Sequence, residues 1–333
     1  NIAVEKAFAG KTPVQSGQNH VVTTIGGGGS GKTSVGISKI QEKAGGDNYV
    51  TASLDSARGE FTAYNILTHL GHHGDDYMAV ADISGAVRDR IAERAVKEGY
   101  HLLYDGSGLP WNRYSPLAKK WKESCKSVSV QGADCPLYIQ PDRTADFDGD
   151  VWNRVAERLG KEGRGLIPRV TKTKHIEAPA SYLEVFADSA VDEFSLYDKS
   201  GKFGEEYVIA RKYQVTRKQL EQLNGARKED NLIETLRQNS LLPNQAELPR
   251  NLDENNTDFL VHKGKNGQFT ILTITNISGF IDIVRKGTLN KNASGIDTLP
   301  YIPDSGRWAT GITKERLGLG TIRVLSKAGY SRS

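Results

Sequence analysis

The segment Gly26-Gly27-Gly28-Gly29-Ser30-Gly31-Lys32-Thr33 fits the pattern G-x-x-x-x-G-K-[ST]. Consecutive glycines let backbone N–H groups converge on phosphate oxygens. A helix that begins at the phosphates adds the positive end of its dipole. In such a loop Lys32 reaches the β- and γ-phosphates, the Thr33 hydroxyl ligates Mg²⁺, and Ser34 follows in the first helical turn. The chemistry indicated is binding of ATP, with GTP as the alternative, together with Mg²⁺, and from there phosphoryl transfer. A bare glycine linker would need the lysine, the threonine and the strand before them all by coincidence.

Transfer to a hydroxyl also needs a carboxylate to take the proton. Two aspartates close β-branched or apolar runs: Asp55 after YVTASL (49–54) and Asp105 after YHLLY (100–104). Ligands of open α/β sheets bind beyond such strand ends. Asp55, with Arg58 three places on, is the expected base. Asp105, with Ser107, is expected to position metal and substrate. The residues alone leave these two roles interchangeable, and either acid is also compatible with a helix cap or a turn. Charge on the transferred group calls for arginines. Arg154, Arg158 and Arg164 lie in DVWNRVAERLGKEGRGLIPR (150–169), the first two one helical turn apart. Gly163, Gly165 and Pro168 around Arg164 suit a mobile lid; the competing reading is a solvated basic helix. Asp89 reads as a solvated helix residue.

These groups must be held by alternating strands and helices. HVVTTI (20–25), YVTASL, YHLLY, part of 127–139 and 193–197 read as strands. Residues 33–43, 61–70, 82–98, 116–126 and 150–159 read as helices, and Ile83, Val87, Ile91 and Ala95 mark a buried face on the third. The fold class predicted is α/β: a P-loop kinase core whose mostly parallel sheet is flanked by helices, with a C-terminal α+β extension. Residues 1–18 read as an arm, 19–204 as the core and 205–333 as the extension. Within the extension, 218–222 and 231–237 read as short helices, 243–256 as polar turns and QFTILTI (268–274) as a strand.

Composition narrows the function classes. The chain has 333 residues, 37% of them hydrophobic and 25% charged, which suits a soluble globular protein. A net charge of +4 without a basic stripe argues against a nucleic-acid partner. No apolar run approaches the roughly 18 residues that span a membrane. Cys125 and Cys135 are expected as free thiols in a reducing cytoplasm. The sequence starts at Asn1 and its one methionine is Met78, so a preceding segment, with any targeting signal, is expected to be missing. His69, His72 and His73 near Asp75 and Asp76 lack a recognised metal spacing and read as a surface loop. Trp111, Trp121 and Trp152 read as core or pocket walls.

The ordered set resembles the zeta-toxin kinases. It comprises the phosphate loop, the Asp55/Arg58 pair, GYHLLYDGSG (99–108), G-R-x-x-x-P (163–168) and the SLYDKSG ending (195–201). The resemblance covers about residues 20–201. It implies Lys32 and Thr33 at the nucleotide, Asp55 as general base, Asp89 and Ser107 at the acceptor, and Arg154 and Arg164 at the phosphates. Asp105 stands where those toxins usually have glutamate and Ser107 where they have threonine. Their usual His-Pro pair is missing, with His72-His73 nearby instead. These departures surround the acceptor site. Over the whole chain the sequence is similar to the zeta-toxin-like type III avirulence effectors of plant-pathogenic bacteria. That likeness implies an ATP-dependent kinase of the 3′-hydroxyl of the adenosine ribose of NAD, a cognate antitoxin- or chaperone-like protein partner, and delivery into the plant cell. The rivals are a UDP-N-acetylglucosamine kinase of the zeta type and a non-catalytic nucleotide-gated effector.

Overall fold

The computed structural model describes residues 2–71, 76, 79–135, 151, 154, 168–199, 207–216, 218, 262–263, 268–274, 276, 279, 283, 301–302 and 307–308. Its centre is strand β1 (His20–Ile25), whose Val21, Val22 and Ile25 are fully buried. Such near-continuous burial is what a parallel strand covered on both faces requires. On one side β1 pairs parallel with β3 (Leu102–Asp105), and β3 pairs parallel with β2 (Val50–Ser53). On the other side β1 pairs parallel with β4 (Ser127–Asp134), and β4 with β5 (Glu193–Asp198). Antiparallel strands β6 (Tyr207–Thr216), β8 (Gln268–Ile274) and β7 (His262–Lys263) continue the same sheet, giving the order β2-β3-β1-β4-β5-β6-β8-β7. A separate two-stranded ribbon joins β9 (Tyr301–Ile302) and β10 (Arg307–Trp308). The fold is therefore the expected α/β class, a mixed sheet of mostly parallel strands flanked by helices.

The faces follow from the period of two along each strand. Val22 and Leu103 point to helix α2 (Lys32–Ala44), where they meet the buried Ile40. Val21, Leu102, Tyr104, Val128 and Val130 point to the larger core on the opposite face. That core is closed by α1 (Ile2–Phe8), α5 (Ala81–Glu98), α6 (Ser115–Ser124) and α7 (Pro168–Ala187). Each fully buried large side chain there, such as Trp111, Tyr182 or Phe194, contributes roughly 1.5–3 kcal/mol. Helix α2 sits close to β1 because residue 36 is glycine: a Cβ there would lie 2.5 Å from Thr24 Cγ2. Two shorter helices, α3 (Leu54–Gly59) and α4 (Thr62–His69), follow β2.

Several expectations change. The arm at 1–18 contains α1, which packs Val4 and Phe8 into the core and ends with Val14 N–H donating to Gly99 O at 2.9 Å. Ile83 is 55% exposed; the buried stripe of α5 runs instead through Ser84, Ile91 and Ala95. Strand β4 keeps its register through Gly132, where a Cβ would meet Phe194 at 2.8 Å, so the glycine serves close packing. Helix α7 and strand β6 were not anticipated at all. The helices expected at 150–159 and 218–222 are described only at Val151, Arg154 and Lys218, each helical. Residues 231–237, 243–256, Trp152, His72, His73 and Asp75 lie outside the described residues.

Candidate nucleotide and phosphoryl-transfer site

The glycine-rich loop joins the carboxyl end of β1 to the amino end of α2. Gly26, Gly29 and Gly31 hold φ of 149°, 73° and 83°, a region that L side chains rarely adopt. Side chains within the loop turn back onto it. Lys32 Nζ donates to Gly27 O at 3.1 Å, Ser30 Oγ to Gly27 O at 2.9 Å and Ser34 Oγ to Gly31 O at 2.8 Å. The Gly27 and Gly31 carbonyls are thus engaged by side chains. Its amides and the first turn of α2 are the natural seat for an anion.

Strand β3 delivers Asp105 to the same place. Its Oδ2 accepts from Thr33 Oγ1 at 3.0 Å and its Oδ1 from Thr24 Oγ1 at 2.8 Å. Thr24 Oγ1 also accepts from Gly106 N and lies 2.9 Å from Gly106 O. The next loop is tied back to the phosphate loop, since Gly26 N–H donates to Ser107 O at 2.9 Å. A hydroxyl and a carboxylate in contact at the mouth of a phosphate loop form a hard-oxygen donor set. Such a set fits Mg²⁺ completed by water and phosphate oxygens. Among the described residues there is no cluster of three or more His, Cys, Asp or Glu side chains suited to a metal.

Asp55 lies two residues past Ser53, the register partner of Asp105, so the two acids stand at neighbouring strand ends. Ser53 caps α3 through its hydroxyl, which accepts from Asp55 N at 3.2 Å. Arg58, buried on the same helix, donates to Asp55 Oδ1 at 3.1 Å and leaves the carboxylate 43% exposed. This is an oriented, accessible acid. Asp89 is engaged rather than solvated: Tyr104 Oη donates to its Oδ1 at 2.8 Å, as does Arg88 Nε. Burial of the Tyr104 hydroxyl, aided by the Asp89 carboxylate, outweighs the opposing Arg88 guanidinium and pushes that phenol well above its ordinary range. Ser107 Oγ is turned inward and accepts from Leu109 N at 3.4 Å. Arg154 lies beside the loop on its other flank. Its Nη1 is 3.4 Å from Ser30 O, and its Nη2 donates to Lys199 O at 2.8 Å. The structure thus brings Lys32, Thr33, Ser34, Asp105, Ser107 and Arg154 around one loop, with Asp55 and Arg58 just past the end of β2 and Asp89 on α5, bonded to Tyr104 of β3. Arg158 and Arg164 lie outside the described residues.

Four residues of the site were missed from sequence. Arg88 stacks its guanidinium 4.6 Å from the Tyr104 ring centroid and brings Nη1 within 3.7 Å of where a Gly106 Cβ would be. Lys199 lays its side chain against Gly31, next to Arg154. Burial, then the neighbouring guanidinium, lower its amine to about 8. On α7, His175 Nε2 donates to Gly28 O at 2.8 Å, and Lys174 Nζ donates to Leu109 O at 2.9 Å. Only Lys199, in the segment SLYDKSG, had a local signal that pointed to it.

No family model matches the chain, and no curated protein does. Among solved structures, it is similar to one from the PezAT chromosomal toxin–antitoxin system of Streptococcus pneumoniae, at 18% identity over 61% of this chain and 76% of that one, TM-score 0.42. It is also similar to the AvrRxo1-ORF1:-ORF2 complex with ATP, at 16% identity over 63% of each chain, TM-score 0.39. The native AvrRxo1-ORF1:-ORF2 complex matches at 13% identity over 98% of this chain and 78% of that one, TM-score 0.43. The chain spans less than two thirds of the ATP-bound relative.

Proposed function

We propose that this chain is an ATP-dependent kinase of a small hydroxylated molecule, with the 3′-hydroxyl of the adenosine ribose of NAD as acceptor. The observation that carries the kinase reading is the contact of Thr33 with Asp105 at 3.0 Å, at the mouth of a loop whose lysine is folded onto it. The acceptor rests on the resemblance of the sequence to zeta-toxin-like effectors, and Arg88 at the Asp105–Ser107 loop suits an acceptor that carries a diphosphate.

In this reading Lys32 and the loop amides bind the β- and γ-phosphates, and Arg154 adds charge at the loop's flank. Thr33 and Asp105 would hold Mg²⁺, which when bound spreads the charge of the phosphate oxygens. The acceptor oxygen forms a bond to the γ-phosphorus as the bond from that phosphorus to the β,γ-bridging oxygen breaks. ADP leaves, and the hydroxyl proton passes to the Asp55 carboxylate. Arg58 holds that carboxylate through its Nη1. A cognate antitoxin- or chaperone-like protein and action inside a plant cell belong to the same proposal. Among the described residues, no helix is long and apolar enough to cross a membrane.

The test is mass spectrometry of a metabolite extract incubated with the protein, ATP and Mg²⁺, beside Lys32→Ala. A Lys32-dependent gain of one phosphoryl group on NAD is the expected result. The same gain on UDP-N-acetylglucosamine moves the acceptor assignment, and no gain on any metabolite ends the kinase reading.

A further inference from the structure

Helix α7 touches both the phosphate loop and the loop after β3. From its first half, His175 Nε2 donates to Gly28 O and Lys174 Nζ donates to Leu109 O, the latter also paired with Glu177 at 2.9 Å. Two turns on, Ser181 Oγ accepts from Trp111 N at 3.1 Å, and Tyr182 Oη donates to Ala133 O at 2.8 Å. The contact to the phosphate loop is close: a Cβ on Gly27 would lie 2.2 Å from His175 Nε2, so residue 27 must be glycine for the ring to sit there. Lys32 Nζ bonds to the carbonyl of that same Gly27, which places His175 against the stretch of loop that the lysine, and with it the β/γ end of a nucleotide, occupies. Lys174 grips the other partner of the reaction, the loop after Asp105.

We infer that Lys174 and His175 are positioning residues that set the register between the nucleotide loop and the acceptor loop. This deepens the kinase reading and rests on it for its catalytic meaning. One rigid helix holds a carbonyl of each loop through neighbouring residues, and the Gly26 N–H to Ser107 O bond spans the gap between the loops. Near-attack geometry in phosphoryl transfer is lost with shifts of about 1 Å, which cost on the order of 100-fold in rate. Nucleotide binding draws mainly on the phosphate loop itself and survives a loss of register.

Two measurements on Lys174→Met/His175→Ala test the inference, with Lys174→Arg/His175→Gln as the conservative pair. The first is hydrogen exchange at Gly26, whose amide is the bond across the gap. Exchange is expected to rise at least tenfold in the first pair, to return toward wild type in the second, and to leave amides of β4 within about threefold. The second is the ratio of NAD phosphorylation to ATP hydrolysis, expected to fall about 100-fold with ATP affinity nearly unchanged. If β4 loses protection as well, the first pair has unfolded and the conservative pair decides by its transfer ratio and Gly26 exchange. Unchanged Gly26 exchange, or hydrolysis and transfer falling together, overturns the inference. A wild-type protein that phosphorylates no acceptor sinks the kinase reading instead, and the Gly26 exchange then still decides the register.

Discussion

Thr33 and Asp105, 72 residues apart, meet at 3.0 Å and join the first turn of α2 to the carboxyl end of β3. The shared oxygen edge exists because β3 lies directly beside β1, the strand that feeds the phosphate loop. Asp105→Asn keeps the shape and removes the charge. Its kcat is expected to fall about 100-fold or more, by analogy with the loss of one preorganised charge partner. Steady-state kinase assays across Mg²⁺ concentrations read this, and the thermal midpoint should shift little.

Gly27→Ala drives a methyl into the His175 ring. Overpacking of this kind costs roughly 1–3 kcal/mol, so nucleotide affinity should drop about tenfold or more. Adding His175→Ala makes room and should restore part of the loss. Calorimetric titration of an ATP analogue into the two single variants and the double variant measures the coupling; strict additivity would show that the ring and the loop are independent.

Arg88 carries a charge to the loop after Asp105 while Asp89 and Tyr104 fix its plane. Arg88→Gln is expected to raise the KM for NAD about tenfold or more and to leave the KM for ATP within about threefold. Adenosine offers the same ribose without the diphosphate and should be affected far less. Equal effects on both acceptors would remove Arg88 from acceptor recognition.

At the opposite end of the strands, His20 and His101 stack with ring centroids 5.4 Å apart. The His20 backbone N–H donates to His101 Nδ1, which must be unprotonated to accept it. Burial, then Lys43, His101 and Lys126, outweigh Glu193 and lower His20 to about 4; burial and Lys126 lower His101 as well. Both folded values lie below the unfolded value of about 6.5. Their contribution is therefore complete above pH 6.5 and is lost as pH falls from 6.5 toward 4. Thermal unfolding between pH 7 and 4 should show a falling midpoint, and His20→Gln should flatten part of that slope.

The parts of the site that were legible are those coded by neighbouring residues. The phosphate loop, the strand before it and the acids at the ends of β2 and β3 are all short-range patterns. Helix α7 was illegible for a physical reason. Pro179 lies inside it, a residue that argues against a helix, and Lys174, His175 and Ser181 are polar because they bond to loops rather than to water. A helix that buries polar side chains on carbonyls has no clean apolar stripe. Its partners lie as far as 147 residues away, which no local pattern encodes. The misplacement of Ile83 has a different origin: its spacing is helical, but the buried stripe runs through Ser84, Ile91 and Ala95, and Ile83 falls on its exposed flank.

The central position of β1 carries a consequence for how the chain assembles. Its neighbours are β3, about 80 residues downstream, and β4, still further on, and its loop is completed by a helix that ends at Ala187. Closing such distant pairs costs chain entropy before their contacts offset it, which makes high-contact-order sheets slow to form. A ribosome that has released the whole glycine motif has therefore released no nucleotide site. The motif is synthesised before the elements that shape it, and its geometry waits on residues as far as 147 positions further along the chain.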